Sequence, residues 1–221
     1  MKTLRLKILL LIFLPLLSFA QNLQNENELI KLMCYEFKNT ETLSDSVRVE
    51  NTYSKFLYPY LQKFPESKID SIGQSIYFRF QRDCETFRKF LDKVDPQDNW
   101  QELKEMPKSE LTKNERKQFE KNKNFYYLEG NNQLTIVIIE NGLWKDIFPD
   151  KTFSKNKFKW LNNDNEFELE FIESTNLTRK GFSRKGDIYN YKIIRKKENY
   201  YEIGAKIPNQ NQILLFKLYV K

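Results

Sequence analysis

Apolar and polar residues alternate with a period of two through the second half of the chain. In Phe158–Glu173, aromatic and aliphatic residues alternate with lysine or glutamate on both sides of an Asn/Asp-rich turn. Because successive side chains of a strand point to opposite faces, this pattern predicts a hairpin with one apolar and one polar face. The same pattern predicts eight strands, over residues 125–129, 133–140, 143–148, 152–160, 166–173, 187–194, 200–207 and 212–220.

The connections between these segments are short and rich in turn-forming residues. Asn141-Gly142 is the strongest turn signal, since both residues accept the positive φ of a tight hairpin. Short sequential connections predict an antiparallel meander, which either closes into a small barrel or stays a bent sheet covered by helices. The residues predicted to point into the barrel have bulky side chains, so we expect a packed interior. They are Leu134, Ile136, Ile138, Trp144, Phe158, Trp160, Phe167, Leu169, Phe171, Ile193, Ile203, Leu215 and Phe216.

The first half of the chain has apolar residues at three- and four-residue steps, which predicts helices. We expect three helices, over residues 26–38, 45–63 and 68–94, with Pro59 bending or ending the second. Thr112 and Glu115 have the spacing of a capping box and predict a short helix over residues 113–121. The fold class is therefore α+β, with a helical unit followed by an antiparallel β-meander of about eight strands.

The N-terminus has the order of a secretory signal peptide. Three basic residues precede an apolar run of about ten residues, which ends in Ser18-Phe19-Ala20. We expect cleavage between Ala20 and Gln21. That run is too short to span a bilayer comfortably, and no later stretch is apolar enough to do so. The sequence thus predicts an exported protein of the periplasm or cell exterior, without a transmembrane segment after signal removal.

Charge supports a division of the mature chain. The part before residue 108 is net acidic, and the part from Lys108 onward is net basic. The predicted domains are a signal peptide over 1–20, a helical domain over 21–107, a linker with a short helix over 108–124 and a β domain over 125–221.

The chain has two cysteines, Cys34 and Cys84, and both fall on apolar faces of predicted helices. In an oxidising compartment such an even pair usually forms a disulfide, and two buried free thiols are the alternative. A bond between them would close a loop of about fifty residues and contribute a few kcal/mol of stability.

Three segments carry a resemblance to a known group of proteins, namely WKDIFPDKTFSKNKFKWLNNDNEFELEFIESTN, GDIYNYKII and YYEI. A Ser-x-x-x-x-x-Trp strand, a polar Asn/Asp turn and a strand of alternating Glu and apolar residues resemble small exported bacterial β-domains grouped as lipocalin-like. The likeness covers about the last 95 residues and implies a lipocalin-like small barrel. The helical half, with CYEF and RDCETF, resembles uncharacterised exported helical modules, which imply no function.

The sequence lacks the residues that common catalytic and metal sites need. It has no histidine, which excludes the usual histidine-based triads and histidine-ligated zinc sites. Its six glycines form no phosphate-binding loop or nucleophile elbow. Glu166, Glu168 and Glu170 share one strand face, which is typical of a solvated surface rather than of a glycosidase pair. We predict no catalytic residue, no metal and no cofactor, and not an enzyme.

Basic residues of the β domain form a candidate anion patch. Such a patch would attract phosphate, acidic glycans or another anionic surface polymer, and a solvated lysine-rich surface is the alternative. No nucleic-acid-binding motif accompanies these residues, and export argues against nucleic acid as a partner. The patch consists of Lys155, Lys157, Lys159, Arg179, Lys180, Arg184 and Lys185.

Together these observations predict a non-enzymatic binding or interaction module whose partner is an unidentified protein or ligand. The alternative is a carrier of a small apolar ligand in a lipocalin-like barrel. A cavity lined by apolar side chains would favour the carrier. An exposed apolar patch on the helices would favour a protein partner, and two facing carboxylates in a cleft would indicate an enzyme.

Overall fold

The structure, a computed structural model, describes residues 26–94, 99–161 and 165–221. The predicted signal peptide, its cleavage site between Ala20 and Gln21, and residues 162–164 of the predicted Asn/Asp turn lie outside the described residues. The chain divides into two compact units, one up to Ile76 and one from Tyr77 to Lys221. The domain boundaries expected after residues 107 and 124 stay a prediction.

The first unit is helical, as the apolar spacing predicts. Residues 26–39 form helix α1, which buries Leu29, Ile30, Met33 and Phe37, apolar residues at three- and four-residue steps. After a short turn, Asp45–Thr52 (α2), a π-helical turn over Tyr53–Leu57 and Tyr58–Leu61 (α3) follow without interruption. Pro59, the second residue of α3, has no backbone N–H to donate, and the π turn that ends at Leu57 lies within the turn before it.

The predicted third helix is two helices, Glu66–Asp83 (α4) and Glu85–Val94 (α5). The interruption falls at Cys84, although the backbone N–H of Cys84 still donates to Phe80 O at 3.0 Å. Cys84 is fully buried. Both cysteines of the chain are disulfide-bonded, so Cys34 and Cys84 are joined, and the disulfide prediction is confirmed.

The second unit contains nine strands among the described residues. Strands β2 to β9 pair with their sequence neighbours in antiparallel order, and β9 also pairs with β2, so eight strands close into a barrel. This confirms the predicted meander in its closed form. Strand β1 adds to β9 next to the closure. The strands are Gln101–Leu103 (β1), Asn124–Leu128 (β2), Leu134–Glu140 (β3), Leu143–Ile147 (β4), Phe153–Trp160 (β5), Glu166–Ser174 (β6), Ile188–Lys196 (β7), Tyr200–Lys206 (β8) and Ile213–Val220 (β9).

Turn chemistry sets the register of the hairpins. Asn141 and Gly142 between β3 and β4 have φ values of 51° and 71°, as the predicted tight turn requires. Asn132, Lys151 and Asn209 in other connections also take positive φ. Each such residue lets the chain reverse within a few residues, which keeps consecutive strands adjacent.

Strand β3 faces the opposite way from the expected one. Thr135 and Val137 are fully buried inside the barrel, whereas Leu134 is 44% exposed and, like Ile136 and Ile138, lies on the outer face. The segment QLTIVIIE is apolar at odd and even positions alike, so its own pattern does not determine which set is buried. In β9 the inward residue is Phe216, and Leu215 lies on the opposite face.

One end of the barrel is filled by aromatic rings. Helix α6 (Lys113–Lys121) begins with the predicted capping box, complete between Thr112 and Glu115. It inserts Phe119 into the barrel, where its ring centroid lies 4.9 Å from that of Phe125 and 5.1 Å from that of Tyr201. We refer to this group as the aromatic plug; it consists of Phe119, Phe125, Phe158, Trp160, Phe167 and Tyr201.

Replacing Gly142 with alanine should lower the free energy of unfolding by about 1 kcal/mol, because an L-residue is strained at this positive φ. No neighbouring atom lies within 4 Å of an added Cβ, so the effect reports backbone conformation alone. The matched variant Gly73→Ala lies inside α4, where the new Cβ meets Leu61 at 3.6 Å. It should raise stability by about 0.5–1 kcal/mol. Denaturant unfolding measures both; an unchanged or more stable Gly142→Ala variant would contradict the turn geometry.

Candidate ligand-binding cavity

The half of the barrel away from the aromatic plug is hollow. A partly open cavity of about 540 Å³, a volume typical of small-molecule sites, extends from this half of the barrel to Gln81 of α4 and Arg88 of α5. The expectation of a packed interior is therefore wrong for this half. Inward positions of β5 and β8 carry the small or polar residues Ser154, Asn156 and Ala205, all of them buried. These side chains are too short to meet across the barrel, so space remains.

Aromatic rings form much of the cavity wall. Trp100 stacks on Phe216 with ring centroids 4.6 Å apart and meets Tyr127 edge to face at 6.0 Å. Trp144 and Tyr191 lie nearly parallel, with centroids 6.3 Å apart. Trp100 enters through the segment that leads into β1, beside the place where β2 and β9 pair over two residues only.

Asp146 places a carboxylate on this aromatic wall. It follows Trp144 by two residues in β4, so both side chains point into the barrel. Asp146 is 8% exposed, and its Oδ1 accepts a hydrogen bond from Trp144 Nε1 at 2.9 Å. Burial raises the pKa of Asp146 to about 6, against the opposing effects of this hydrogen bond and of Arg179.

Arg179 and Glu129 form an ion pair at the cavity wall. Arg179 Nη2 donates to Glu129 Oε1 at 2.6 Å, and Thr135 Oγ1 donates to the same oxygen at 3.1 Å. Arg179 lies on helix α7 (Leu177–Phe182), whose first turn is capped by Asn176 Oδ1 accepting from the Arg179 N–H at 3.1 Å. Burial acts to lower the pKa of Arg179, but the Glu129 carboxylate outweighs it and the pKa is raised.

The tyrosine hydroxyls in the cavity stay protonated at neutral pH. Burial first, and the nearby Asp146 carboxylate second, raise the pKa values of both Tyr127 and Tyr191. At Tyr189 burial also raises the pKa, and its hydroxyl lies 2.5 Å from Ser183 Oγ. The cavity therefore offers neutral hydroxyl groups beside the buried carboxylate.

Charged groups of the second unit surround the rest of the cavity. Arg88 on α5 directs one guanidinium nitrogen at the carbonyl oxygens of Arg82, at 2.9 Å, and Gln81, at 3.3 Å. Burial raises the pKa of Asp92, an effect that Arg88 opposes and Glu102 adds to. The charged residues of the wall are Arg88, Asp92, Glu102, Glu129, Asp146 and Arg179.

A buried guanidinium fixes the helical side of the cavity. Arg82 on α4 is 1% exposed and pairs through Nε with Asp83 Oδ1 at 2.8 Å. Its Nη1 donates to Phe182 O at 3.0 Å and to the Asp187 carboxylate. These contacts join the C-terminal part of α4 to the segment between α7 and β7. Burial lowers the pKa of the neighbouring Arg79 to about 10, with repulsion from Arg82 as the next cause.

The structure distributes the predicted anion patch over several surroundings. Three of its lysines form cross-strand ion pairs on the outer face of β5 and β6, which are Lys155–Glu173 at 3.7 Å, Lys157–Glu170 at 3.6 Å and Lys159–Glu168 at 3.7 Å. Arg179 lines the cavity instead. Lys180 and Lys185 are exposed, on α7 and in the turn that follows it, and Arg184 is half-buried in that turn. The seven residues thus do not form one surface, and anion binding stays a prediction.

The cavity residues were only partly visible in the sequence. Trp144 was expected to face inward, but Glu129, Asp146, Ser154 and Asn156 were not singled out. The alternation along each strand was the available signal. Asp146 lies two residues after Trp144, and Ser154 and Asn156 lie an even number of residues before Phe158 and Trp160, so they share the strand faces predicted to point inward. A carboxylate at an inward-facing position of a predicted barrel strand indicates a polar site in the barrel interior.

Comparison with protein-family models, curated proteins and solved structures finds no match for this chain. The resemblances to lipocalin-like β-domains and to exported helical modules therefore stay expectations. Within the described part of the chain, no group of three or more Cys, Asp or Glu residues is arranged to hold a metal ion. Over the same residues no helix is long and apolar enough to cross a bilayer. The class that the structure defines is an α+β protein with a hollow eight-stranded barrel.

Asp146→Asn should stabilise the protein increasingly as the pH rises. The folded-state pKa of Asp146, about 6, lies above its ordinary value of 3.8, so ionisation in the folded protein is penalised once the pH exceeds that ordinary value. The stability difference between variant and wild type should grow between pH 4 and pH 7 by on the order of 3 kcal/mol, with Arg179, Glu129 and Tyr127 unchanged around the site. Urea unfolding across this pH range measures it. A stability difference that stays constant between pH 4 and pH 7 would contradict it.

Asp187→Asn should lower the free energy of unfolding by about 2 kcal/mol, because Arg82 then lacks one of its two carboxylates. The loss stays below the ~3–5 kcal/mol typical of a single buried pair, because Asp83 still pairs with Arg82. Glu173→Gln, which removes an exposed partner of Lys155, is the control and should cost less than about 1 kcal/mol. Equal effects of the two variants in denaturant unfolding would refute the buried network.

Proposed function

We propose that this chain is an exported, non-enzymatic binding protein that holds a small molecule inside its barrel. The observation that carries the proposal is the unequal filling of the interior. Aromatic rings occupy one end completely, whereas the other end leaves about 540 Å³ bordered by rings and buried polar groups. A few well-placed polar groups in a largely aromatic pocket are the usual composition of a small-molecule site.

A ligand with polar groups fits this cavity better than a purely apolar one. An apolar ligand would displace water from Asp146 and from the Arg179–Glu129 pair without replacing its hydrogen bonds. The rings of Trp100, Trp144 and Phe216 supply contact area for the body of the ligand. We therefore favour the carrier, which was the alternative in the sequence analysis, with a ligand that is amphipathic instead of wholly apolar.

Binding without catalysis is the simpler function for these carboxylates. Glu129 is engaged by Arg179 and Thr135, and Asp146 accepts from Trp144. A glycosidase would need two carboxyl groups facing one substrate bond, one of them free to take up or give a proton. Export is supported by the disulfide between Cys34 and Cys84, because such bonds persist in oxidising compartments.

Native mass spectrometry tests whether the cavity holds a molecule. Protein exported into an oxidising compartment and purified without detergent should carry a defined extra mass that disappears after denaturation. A mass two daltons below the reduced value, with residues 1–20 absent, should accompany it if the chain is cleaved and oxidised as proposed.

Filling the cavity should abolish binding of a neutral aromatic probe. Wild-type protein should bind the naphthalene dye Prodan with 1:1 stoichiometry and blue-shifted emission. Ser154→Phe should weaken this binding by at least about tenfold, because the added ring occupies cavity space. Ala205→Met tests the same idea from β8 on another part of the wall. Fluorescence titration measures both, and circular dichroism confirms folding.

The matched control for this experiment is Lys157→Phe, which adds the same ring to β5 on its outer, exposed face. It should bind Prodan like the wild type. Unchanged binding by folded Ser154→Phe and Ala205→Met would place the dye outside the barrel and contradict the proposed function.

A further inference from the structure

The charges around the cavity are unequal in number. Of its six charged wall residues, four are carboxylates and two are guanidiniums. Both guanidiniums are already engaged, Arg179 by Glu129 and Arg88 by backbone carbonyl oxygens. The cavity therefore has an excess of negative charge that its own side chains do not balance.

Asp146 is the carboxylate in which this excess is most enclosed. It is more than nine-tenths buried, and among the described residues no ammonium or guanidinium lies within ion-pair distance of it. The groups that hydrogen-bond to it, the indole N–H of Trp144 and the hydroxyl of Tyr127, are both neutral. Burying an ion is costly unless an opposite charge or several hydrogen bonds compensate it, so this position is suited to a cationic partner.

The rings beside Asp146 favour the same partner. Trp144 and Tyr191 present nearly parallel faces, and Tyr127 stands close enough to interact with the carboxylate. The faces of Trp and Tyr rings attract cations through their quadrupoles, and the attraction strengthens in a desolvated site. An ammonium group would thus meet a carboxylate and aromatic faces at one place.

We infer that the ligand of this cavity is an organic cation, an amine with an aromatic or apolar body, whose ammonium group pairs with the Asp146 carboxylate. The inference rests on the proposed function. The body of such a ligand would lie against Trp100, Phe171 and Phe216, which also line the cavity. An anionic ligand would meet repulsion from the excess carboxylates.

Three probes of the same size separate charge from shape. Phenethylamine is cationic, 2-phenylethanol is neutral and phenylacetate is anionic, and all carry one phenyl ring. Isothermal titration calorimetry at pH 8 with the mature, oxidised chain should show phenethylamine binding about tenfold or more tighter than 2-phenylethanol. Phenylacetate should bind most weakly.

Asp146→Asn assigns the preference to this carboxylate. The variant should lose about tenfold or more in affinity for phenethylamine, because the buried charge partner is gone, while its affinity for 2-phenylethanol changes by less than about twofold. Glu168→Gln is the matched control, since it makes the same exchange of carboxylate for amide on the outer face of β6, where Glu168 pairs with Lys159. It should bind all three probes like the wild type.

The outcomes separate the inference from the proposed function. Equal binding of amine and alcohol, or unchanged amine binding by Asp146→Asn, overturns the cation inference, whereas sensitivity of alcohol binding to Ser154→Phe keeps the cavity as a binding site. Tighter binding of phenylacetate also overturns the inference. If none of the three probes binds at millimolar concentration, and Prodan affinity is unchanged in Ser154→Phe and Ala205→Met, both the proposed function and the cation inference fail.

Discussion

Closure of eight strands into a barrel creates an interior that something must fill. A barrel of this size is just wide enough for its side chains to meet or for one small ligand to fit between them. In this barrel the side chains meet at one end, and space for a small ligand is left at the other. The aromatic plug around Phe119 closes one end, because α6 contributes a ring that no strand provides. At the other end Ser154 and Ala205 supply too little volume, and the cavity remains.

The surroundings of the charged side chains in the second unit differ between the plugged end and the cavity end of the barrel. Near the plug, polar residues of the strands lie outside, where lysines and glutamates of β5 and β6 pair across the outer face at little energetic consequence. Near the cavity, the buried Arg82 and the partly exposed Arg179 and Glu129 each have a partner of opposite charge. A buried ion pair contributes little net stability but penalises any arrangement that separates its partners. These pairs therefore hold the wall in one geometry.

Local chemistry explains why so much of the fold was predictable. The Asn141-Gly142 turn, the capping box of Thr112 and Glu115, and the alternation of FELEF each depend on neighbours within a few residues. Strand β3 was placed with the wrong face inward because QLTIVIIE is apolar on both faces. Its orientation is set by pairing with β2 and β4, where Val137 lies opposite both Phe125 and Asp146.

The cavity was not predicted for a related reason. A void is a property of several strands at once, and a list of bulky residues does not show that Ser154 and Ala205 occur where the volume is needed.

The fold alone does not explain why Asp146 is a carboxylate. Trp144 needs an acceptor for its N–H, but a neutral amide oxygen would serve as well without a desolvated charge. The barrel would be closed by the same hydrogen bonds between β3, β4 and β5 with a neutral residue at this position. Proteins keep residues that lower the stability of the unliganded fold mainly at functional sites. There the bound partner compensates the free-energy cost of the residue. A carboxylate held among aromatic rings, with its raised pKa as the sign of that cost, is better accounted for by a cation that binds there than by any requirement of the barrel.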